Sequence, residues 1–145
     1  MSYMWADTLE LLERAHLLRL ILWGAASTVA GTALMAWLKV ASRRSNLLRH
    51  FAYQCAGWGA IEVLLGIVLL TQIAPRDLAA ATRLDRLLWL NIGLDGGYVI
   101  CGLMLAILGW RLSRRLGVVG AGIAITVQGL ALALLDLLLA VQINR

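Results

Sequence analysis

The sequence predicts an all-α protein, a bundle of four helices that each cross a membrane. Hydrophobic residues make up 61% of the 145-residue chain and charged residues only 14%, whereas a water-soluble domain carries about 25% charged residues. The charges fall in short clusters, and each of the four stretches between them is apolar over the roughly 20 residues that a helix needs to cross a bilayer. These stretches do not alternate apolar with polar residues, so they are not the strands of a membrane barrel.

The first apolar segment covers residues 20–38. Ahead of it, Asp7 and Glu10 have the spacing of a capping box, which predicts a helix start. A cleaved signal peptide is an alternative, because Thr28 and Ala30 are small enough for a cleavage site. A signal peptide opens with a basic region, however, and this leader is acidic. We therefore expect the first segment to remain in the membrane.

Residues 1–19 form an amphipathic lead-in to this first segment. Trp5, Leu9 and Leu12 fall on one helical face, which is typical of a helix that lies along the membrane surface. The alternative is a plain extension of the first helix with no separate role, and this is the interpretation that we favour.

The second and third segments cover residues 51–74 and 87–110. Pro75 is the only proline, and we expect it to end the second helix because proline cannot continue the backbone hydrogen bonding. Thr82 and Asp85 repeat the capping-box spacing and predict the start of the third helix.

The fourth segment covers residues 116–143, and the two halves of the chain carry a faint repeat. Polar and small residues recur at shifts of 71 and 74 positions. The matched positions are Gly31 with Gly102, 42–44 with 113–115, Gln54 with Gln128, and Glu62 with Asp136. The repeat predicts two tandem helical hairpins related by duplication.

Basic residues set the expected orientation, because positive loops are retained on the cytoplasmic side. The two hairpin loops hold seven basic residues and no acid, and these are Lys39, Arg43, Arg44, Arg49, Arg111, Arg114 and Arg115. The other side carries six basic residues among several acids, namely Arg14, Arg19, Arg76, Arg83, Arg86 and Arg145. We expect cytoplasmic hairpin loops and both termini outside.

Three acidic residues lie inside apolar segments: Glu62, Asp95 and Asp136. A charge near the bilayer centre costs at least about 2.5 kcal/mol on insertion scales, so these side chains should face protein or water. Helical spacing places Asn91 and Tyr98 on the face of Asp95. The candidate residues for binding a ligand or proton are Glu62, Asp95, Asp136, Asn91, Gln128, Gln54 and Tyr98.

The alternative role for these polar residues is helix packing, in which each hydrogen-bonded pair contributes around 0.6 kcal/mol. Small residues at a spacing of four also favour close packing of helices. The candidate packing residues are Gly93, Gly97, Gly102, Ala56 and Ala60.

The sequence offers no metal or cofactor site. His16 and His50 belong to opposite membrane sides, so they cannot share a haem. Cys55 and Cys101 have no histidine at similar depth to complete a zinc set. No catalytic set of Ser, His, Cys or Asp lies at compatible depth, so we expect no enzyme activity. The net charge of +5 is explained by contacts with lipid headgroups and does not indicate nucleic-acid binding.

Two segments carry a resemblance to a known family, N-I-G-L-D-G-G-Y at 91–98 and Q-G-L-A-L-A-L-L-D at 128–136. Together with a third element at 54–62, they resemble a family of uncharacterised small bacterial four-helix membrane proteins. The resemblance implies the four-helix architecture and singles out these polar positions, but it implies no activity. Glu62 stands where the resemblance leads us to expect an aspartate.

Two classes of function stay open. The first is a non-enzymatic accessory or structural subunit that binds lipid, another copy of itself or a larger membrane complex in the bacterial cytoplasmic membrane. The second is a minimal transporter or ligand-binding bundle that uses its buried carboxylates for a cation or a proton, and a membrane enzyme is a distant third. The second class predicts that Glu62, Asp95 and Asp136 converge with Asn91 on a water-accessible cavity.

Overall fold

A computed structural model describes residues 2–143, with no account of the side chains of residues 2–5 and 113. Over this range the chain is all-α and forms no strand. The helices are α1 (Ser2–Val40), α2 (Asn46–Leu70), α3 (Leu78–Ser113) and α4 (Leu116–Ile143). Each is long and apolar enough to cross a membrane, which confirms the predicted all-α architecture of four helices. The side chain of Trp5 and all of Arg145 lie outside the described part of the chain.

The first helix is continuous from the lead-in into the apolar segment. Its start at Ser2 means that the capping box expected at Asp7 and Glu10 is wrong, because both residues lie inside α1. Leu9, Leu17 and Leu20 are all buried, and residues at such spacings share one helix face. The lead-in is therefore part of the bundle, and its inner face contacts the other helices.

The second helix begins at a cap and ends before the proline. The Ser45 hydroxyl accepts a hydrogen bond from the Leu48 amide (3.3 Å). The helix ends at Leu70, and the Thr71 hydroxyl donates to the Val68 carbonyl (2.7 Å). The prediction that Pro75 ends this helix is wrong, since the chain leaves the helix at Thr71.

The third helix starts earlier than expected. Asp77 is its N-cap, with the carboxylate accepting from the Ala80 amide at 2.7 Å. The capping box expected at Thr82 and Asp85 is therefore wrong, because an aspartate one turn and a half upstream already satisfies the exposed amides. Thr82 instead donates to the Leu78 carbonyl at 2.9 Å, within the helix.

The helices pair as two hairpins that meet through α4. Helix α1 packs along α2, and α3 packs along α4; α4 also packs against α2 and, less extensively, against α1. Within residues 2–143 the backbone of α3 closely approaches α4 alone. We call the end where α1 begins and α4 ends the termini end, and it also holds the connection 71–77. The opposite end, with the connections 41–45 and 114–115, is the basic end.

Glycines allow each hairpin to close backbone against backbone. A Cβ atom at Gly24 of α1 would lie 2.7 Å from the Gly59 carbonyl oxygen of α2. In the second hairpin, a Cβ atom at Gly102 would lie 2.7 Å from the Gly122 carbonyl oxygen. Such contacts exclude any side chain, and they are typical of helix pairs in membranes.

Candidate functional site

The interior of the bundle holds an acidic side chain that has no hydrogen-bonding partner within residues 2–143. Glu62 lies eight residues from the end of α2, about 12 Å along the helix. It is only 4% exposed, and neither carboxylate oxygen has a partner among the described residues. The α1 backbone at Gly24 packs directly against Glu62 of α2, since a Cβ atom on Gly24 would lie 2.9 Å from Glu62 Cβ. The carboxyl is thus shielded on the α1 side.

A small cavity borders Glu62 on the side of α3 and α4. Its volume is about 20 Å³, which is enough for one water molecule. The lining residues are Trp58, Glu62, Tyr98, Ile125, Gln128, Gly129 and Leu132. The rings of Trp58 and Tyr98 meet edge to face, with centroids 5.8 Å apart, so aromatic side chains from α2 and α3 bridge the gap between these two helices.

Gln128 lies beside the same cavity. The indole N–H of Trp23 donates to the Gln128 side-chain oxygen at 2.7 Å. Because an indole can only donate, this bond fixes the orientation of the amide and leaves its NH₂ group on the other side. That nitrogen is buried and has no partner within residues 2–143. Gln128 and Glu62, each with a buried polar group that has no partner in the described chain, therefore lie beside one small cavity whose lining is mainly apolar.

Asp95 extends the acidic site from α2 towards α4. It is 6% exposed, and its Oδ2 atom is buried without a partner in the described part of the chain. Asp95 lies within electrostatic range of both Glu62 and Asp136. The three carboxyls thus follow one another in the order Glu62, Asp95, Asp136, and we call this arrangement the carboxyl file.

A histidine lies next to Asp136, the member of the carboxyl file nearest the termini end. Asp136 is 9% exposed, and its Oδ1 atom lies 3.3 Å from His16 Nε2 of α1. His16 is 8% exposed, with a buried Nδ1 atom that has no partner among residues 2–143. The pair joins α1 to α4, and an imidazole in this place can accept a proton or pass one on.

The file opens into a groove at the termini end. The groove has a volume of about 470 Å³, and its polar lining residues are Glu13, His16, Gln72, Arg76, Asn91 and Asp136. Since all four helices or their connections contribute to it, the groove is the mouth of the bundle interior at this end. Asp136 and His16 thus border both the groove and the carboxyl file.

An ion pair fixes one rim of the groove. Arg76, in the connection between α2 and α3, donates to both carboxylate oxygens of Glu13, at 2.8 and 2.5 Å. The hydrogen bond to Glu13 raises the pKa of the Arg76 guanidinium above its ordinary value; burial opposes this effect and the charge of Glu13 adds to it. A two-point pair of this kind holds the connection against α1.

The seven candidate binding residues separate into three places. The interior holds Glu62, Asp95, Asp136 and Gln128, whereas Tyr98 is exposed and its ring lies at the edge of the small cavity. Asn91 is exposed and lines the groove beside Asp136. Gln54 lies away from the acids, in a groove at the basic end. The acids and Asn91 do not share one cavity: Asp136 and Asn91 line the groove at the termini end, and Glu62 borders the small cavity.

The candidate packing residues separate likewise. Gly102 lies against Gly122 of α4, and Ala56 lies against Gly31 of α1. Gly93 and Gly97 have no atom of the described chain within 4 Å of where a Cβ would stand. Ala60 is exposed. The α3 pair thus faces away from the rest of the protein.

Sequence reasoning did not find His16, Trp23, Glu13 or Arg76 as parts of the site. A usable signal existed for two of them, because Glu13 and His16 follow Leu9 and precede Leu20 at helical spacing, on a face otherwise apolar. Polar residues on such a stripe indicate buried partners.

The comparisons with known proteins give one finding. Residues 19–137 match a family of unknown function, DUF6992. This range holds all three carboxyls of the file. No curated protein and no solved structure matches the chain.

Proposed function

We propose that this chain, which belongs to the DUF6992 family, is an integral membrane protein whose interior carboxyls bind and release protons that enter from the termini end. The observation that carries the proposal is Glu62, a 96% buried carboxyl whose two oxygens have no partner in the described chain, beside a water-sized cavity. A buried unpaired carboxylate is costly, and protonation relieves that cost. A proton is therefore the simplest ligand for the site.

A membrane environment is supported by the outer surface. Large apolar side chains are exposed along all four helices, for example Leu22, Ile61, Ile100 and Leu134. Water-soluble monomers rarely expose continuous apolar surface on this scale. We place the protein in the bacterial cytoplasmic membrane, with the basic end inside and the termini end outside, because positive loops stay cytoplasmic.

The arrangement of the acids favours a proton over a metal ion. Within the described residues, no group of three or more His, Cys, Asp or Glu side chains surrounds a common point as a metal ion requires. The carboxyls instead stand in a row, each within range of the next. A proton needs only one carboxyl at a time and can move between neighbours through water.

The proposed route has a definite direction. A proton enters the groove at the termini end, reaches His16 and Asp136, and passes by way of Asp95 to Glu62. Gln128, whose buried NH₂ group has no partner in the described chain, lies beside the same small cavity as Glu62. Trp58 and Ile125 line the cavity on the side of the basic end, so transport to the other side needs a movement of these residues or a coupled partner.

Carbodiimide labelling tests the proposal. Dicyclohexylcarbodiimide is an apolar reagent that reacts with protonated carboxyls, and mass spectrometry locates the adduct. We expect an adduct on Glu62 that diminishes as pH rises and is absent from Glu62→Gln, while Glu10→Gln labels like the wild type because Glu10 is a surface residue paired with Arg14. Protection by sodium at constant pH and ionic strength would replace the proton with a cation, and no adduct on Glu62 at any pH would overturn the proposal.

A second candidate function is the structural or accessory subunit, and the outer face of α3 favours it. Gly93 and Gly97 present a small-residue face that no described helix covers, and such faces are self-complementary. A second copy of this chain is the partner we propose. Cys101 is exposed on α3, whereas Cys55 is buried, so oxidation in membranes should give a disulfide dimer that Cys101→Ser abolishes and Cys55→Ser retains. Monomers under all oxidising conditions would contradict this function.

We also infer that the two hairpins arose by duplication. Gly31 contacts Ala52 in the first hairpin, and Gly102 contacts Thr126 in the second. These contacts are equivalent under the sequence shifts of 71 and 74 positions. Equivalent contacts between helices therefore support the repeat in addition to the identical residues at matched positions.

A further inference from the structure

The basic end of the bundle carries two grooves that the carboxyl file does not use. The first groove has a volume of about 560 Å³ and lies between α1 and α2. Lys39, Arg43, Arg44 and Arg49 line it, together with the polar groups of Ser45 and Asn46. None of the described residues that line it is acidic, so its four positive charges are left for an anion from outside the chain.

The second groove lies between α2, the end of α3 and the start of α4. Its volume is about 550 Å³, and its polar rim includes Arg49, His50, Arg114 and Arg115. No acidic residue lines this groove either. The rest of its lining is mainly apolar, formed by Leu105, Leu116, Val118, Ala121 and Ile125, with Gln54 as a further polar side chain. A basic rim above an apolar wall matches a lipid, with its headgroup at the rim and its chains along the wall.

The two grooves meet at the first turn of α2, because Asn46 and Arg49 line both. Arg49 donates to the Asn46 side-chain oxygen at 3.0 Å, which holds the guanidinium at the junction. In the second groove, the Arg114 guanidinium lies 5.6 Å from the centre of the Trp110 ring. This stacking keeps a second guanidinium at the level of the helix ends.

We propose that these grooves bind one anionic phospholipid that carries two phosphate groups, with one phosphate in each groove and Arg49 between them. Guanidinium groups pair with phosphate oxygens at two points, and basic pockets between membrane helices are known to hold such headgroups. A lipid with one phosphate fills only one groove. A soluble anion leaves the apolar wall of the second groove uncovered.

Native mass spectrometry of the detergent-purified protein tests the assignment. The probes are cardiolipin, which has two phosphates, phosphatidylglycerol, which has one, and inorganic pyrophosphate, which has no acyl chains. We expect cardiolipin to bind most tightly, and Arg49→Gln to weaken it by at least about fivefold, the effect of about 1 kcal/mol per arginine near a lipid surface. Arg43→Gln and Arg115→Gln, each confined to one groove, should each weaken it by about fivefold.

Arg111→Gln is the matched control. It removes one positive charge at the same end, but Arg111 lines a different groove, with Ala106, Ile107, Trp110 and Val119, and neither of the two basic grooves. We expect it to change cardiolipin affinity by less than about twofold, because separated surface charges are screened, and Arg49→Lys should recover part of the lost affinity. Equal effects of Arg49→Gln and Arg111→Gln, or phosphatidylglycerol binding as tightly as cardiolipin, would overturn the proposal. Complete displacement of cardiolipin by pyrophosphate would contradict the claim that a lipid, and not a soluble anion, occupies the grooves.

Discussion

Replacing Gly24 with alanine should separate the first two helices. The added methyl carbon would lie 2.7 Å from the Gly59 carbonyl oxygen, 2.9 Å from Glu62 Cβ and 3.0 Å from the Val63 amide nitrogen. Two of these atoms belong to the α2 backbone, so no side-chain rotation relieves the contact. Overpacking of this kind costs about 1–3 kcal/mol, and we expect the upper half of that range.

Gly57→Ala is the matched control for this prediction. Gly57 lies in α2 and has no atom of the described chain within 4 Å of an added Cβ. Both substitutions gain the same helix propensity, about 1 kcal/mol, so the difference between the two variants isolates the packing cost. We therefore expect Gly57→Ala to be at least as stable as the wild type and Gly24→Ala to be less stable than Gly57→Ala by about 2–3 kcal/mol.

The assay is reversible unfolding in mixed micelles, with increasing sodium dodecyl sulfate and helicity followed by circular dichroism. Because α1 backs the Glu62 side chain, Gly24→Ala should also increase water access to that carboxyl. Equal unfolding free energies for Gly24→Ala and Gly57→Ala would refute the close backbone contact of α1 with α2.

Two further predictions concern single contacts. Glu13→Gln should lower the unfolding free energy by about 1.5–3 kcal/mol, the range for hydrogen bonds to charged groups, because it weakens the two-point pair with Arg76. In the same titration Glu10→Gln should lower it by less than about 0.5 kcal/mol, as for exposed helix pairs. Equal losses for the two variants would contradict the stabilising role of the Glu13–Arg76 pair. Trp23→Phe should cost about 0.6 kcal/mol and at most about 1.7 by leaving the Gln128 oxygen without its donor, and a variant as stable as the wild type would show that this bond contributes nothing.

The helices could be predicted from the sequence because hydropathy and length leave few alternatives for an apolar stretch. Their ends were harder to predict. Pro75 cannot lie inside a continuous helix, but α2 already ends at Leu70, with Thr71 as its C-cap, before the chain reaches the proline. Asp77 caps α3 alone, with no second residue of a capping box to mark this start, since a single carboxylate is sufficient.

The acids of the site could be predicted by depth, but their partners could not. Helical spacing gives the face on which Asp136 lies, whereas the choice of His16 as its neighbour depends on which helices are adjacent. Gln54 shares a face with Glu62 by spacing but lies two turns away, at the basic end. Depth along a helix therefore predicted the carboxyl file better than shared faces did.

The glycines show the same limit. The spacing of four between Gly93 and Gly97 is a packing signal, but both face away from the chain's other helices. Gly24 and Gly59 lie on different helices and have no spacing pattern with each other, although they form a close contact. A pattern within one helix indicates that it can pack closely, and the partner is set by the tertiary arrangement.

Infrared difference spectroscopy during acidification tests most directly the claim that Glu62 takes up a proton. Protonated carboxyls have a carbonyl stretching band that carboxylates lack, and a buried carboxyl gives a band distinct from exposed ones. We expect the wild type in lipid to gain such absorption as pH falls, Glu62→Gln to lose the component due to Glu62 while Asp95 and Asp136 keep theirs, and Glu10→Gln to retain all of it. A band that is the same in the wild type and Glu62→Gln would contradict proton binding at Glu62.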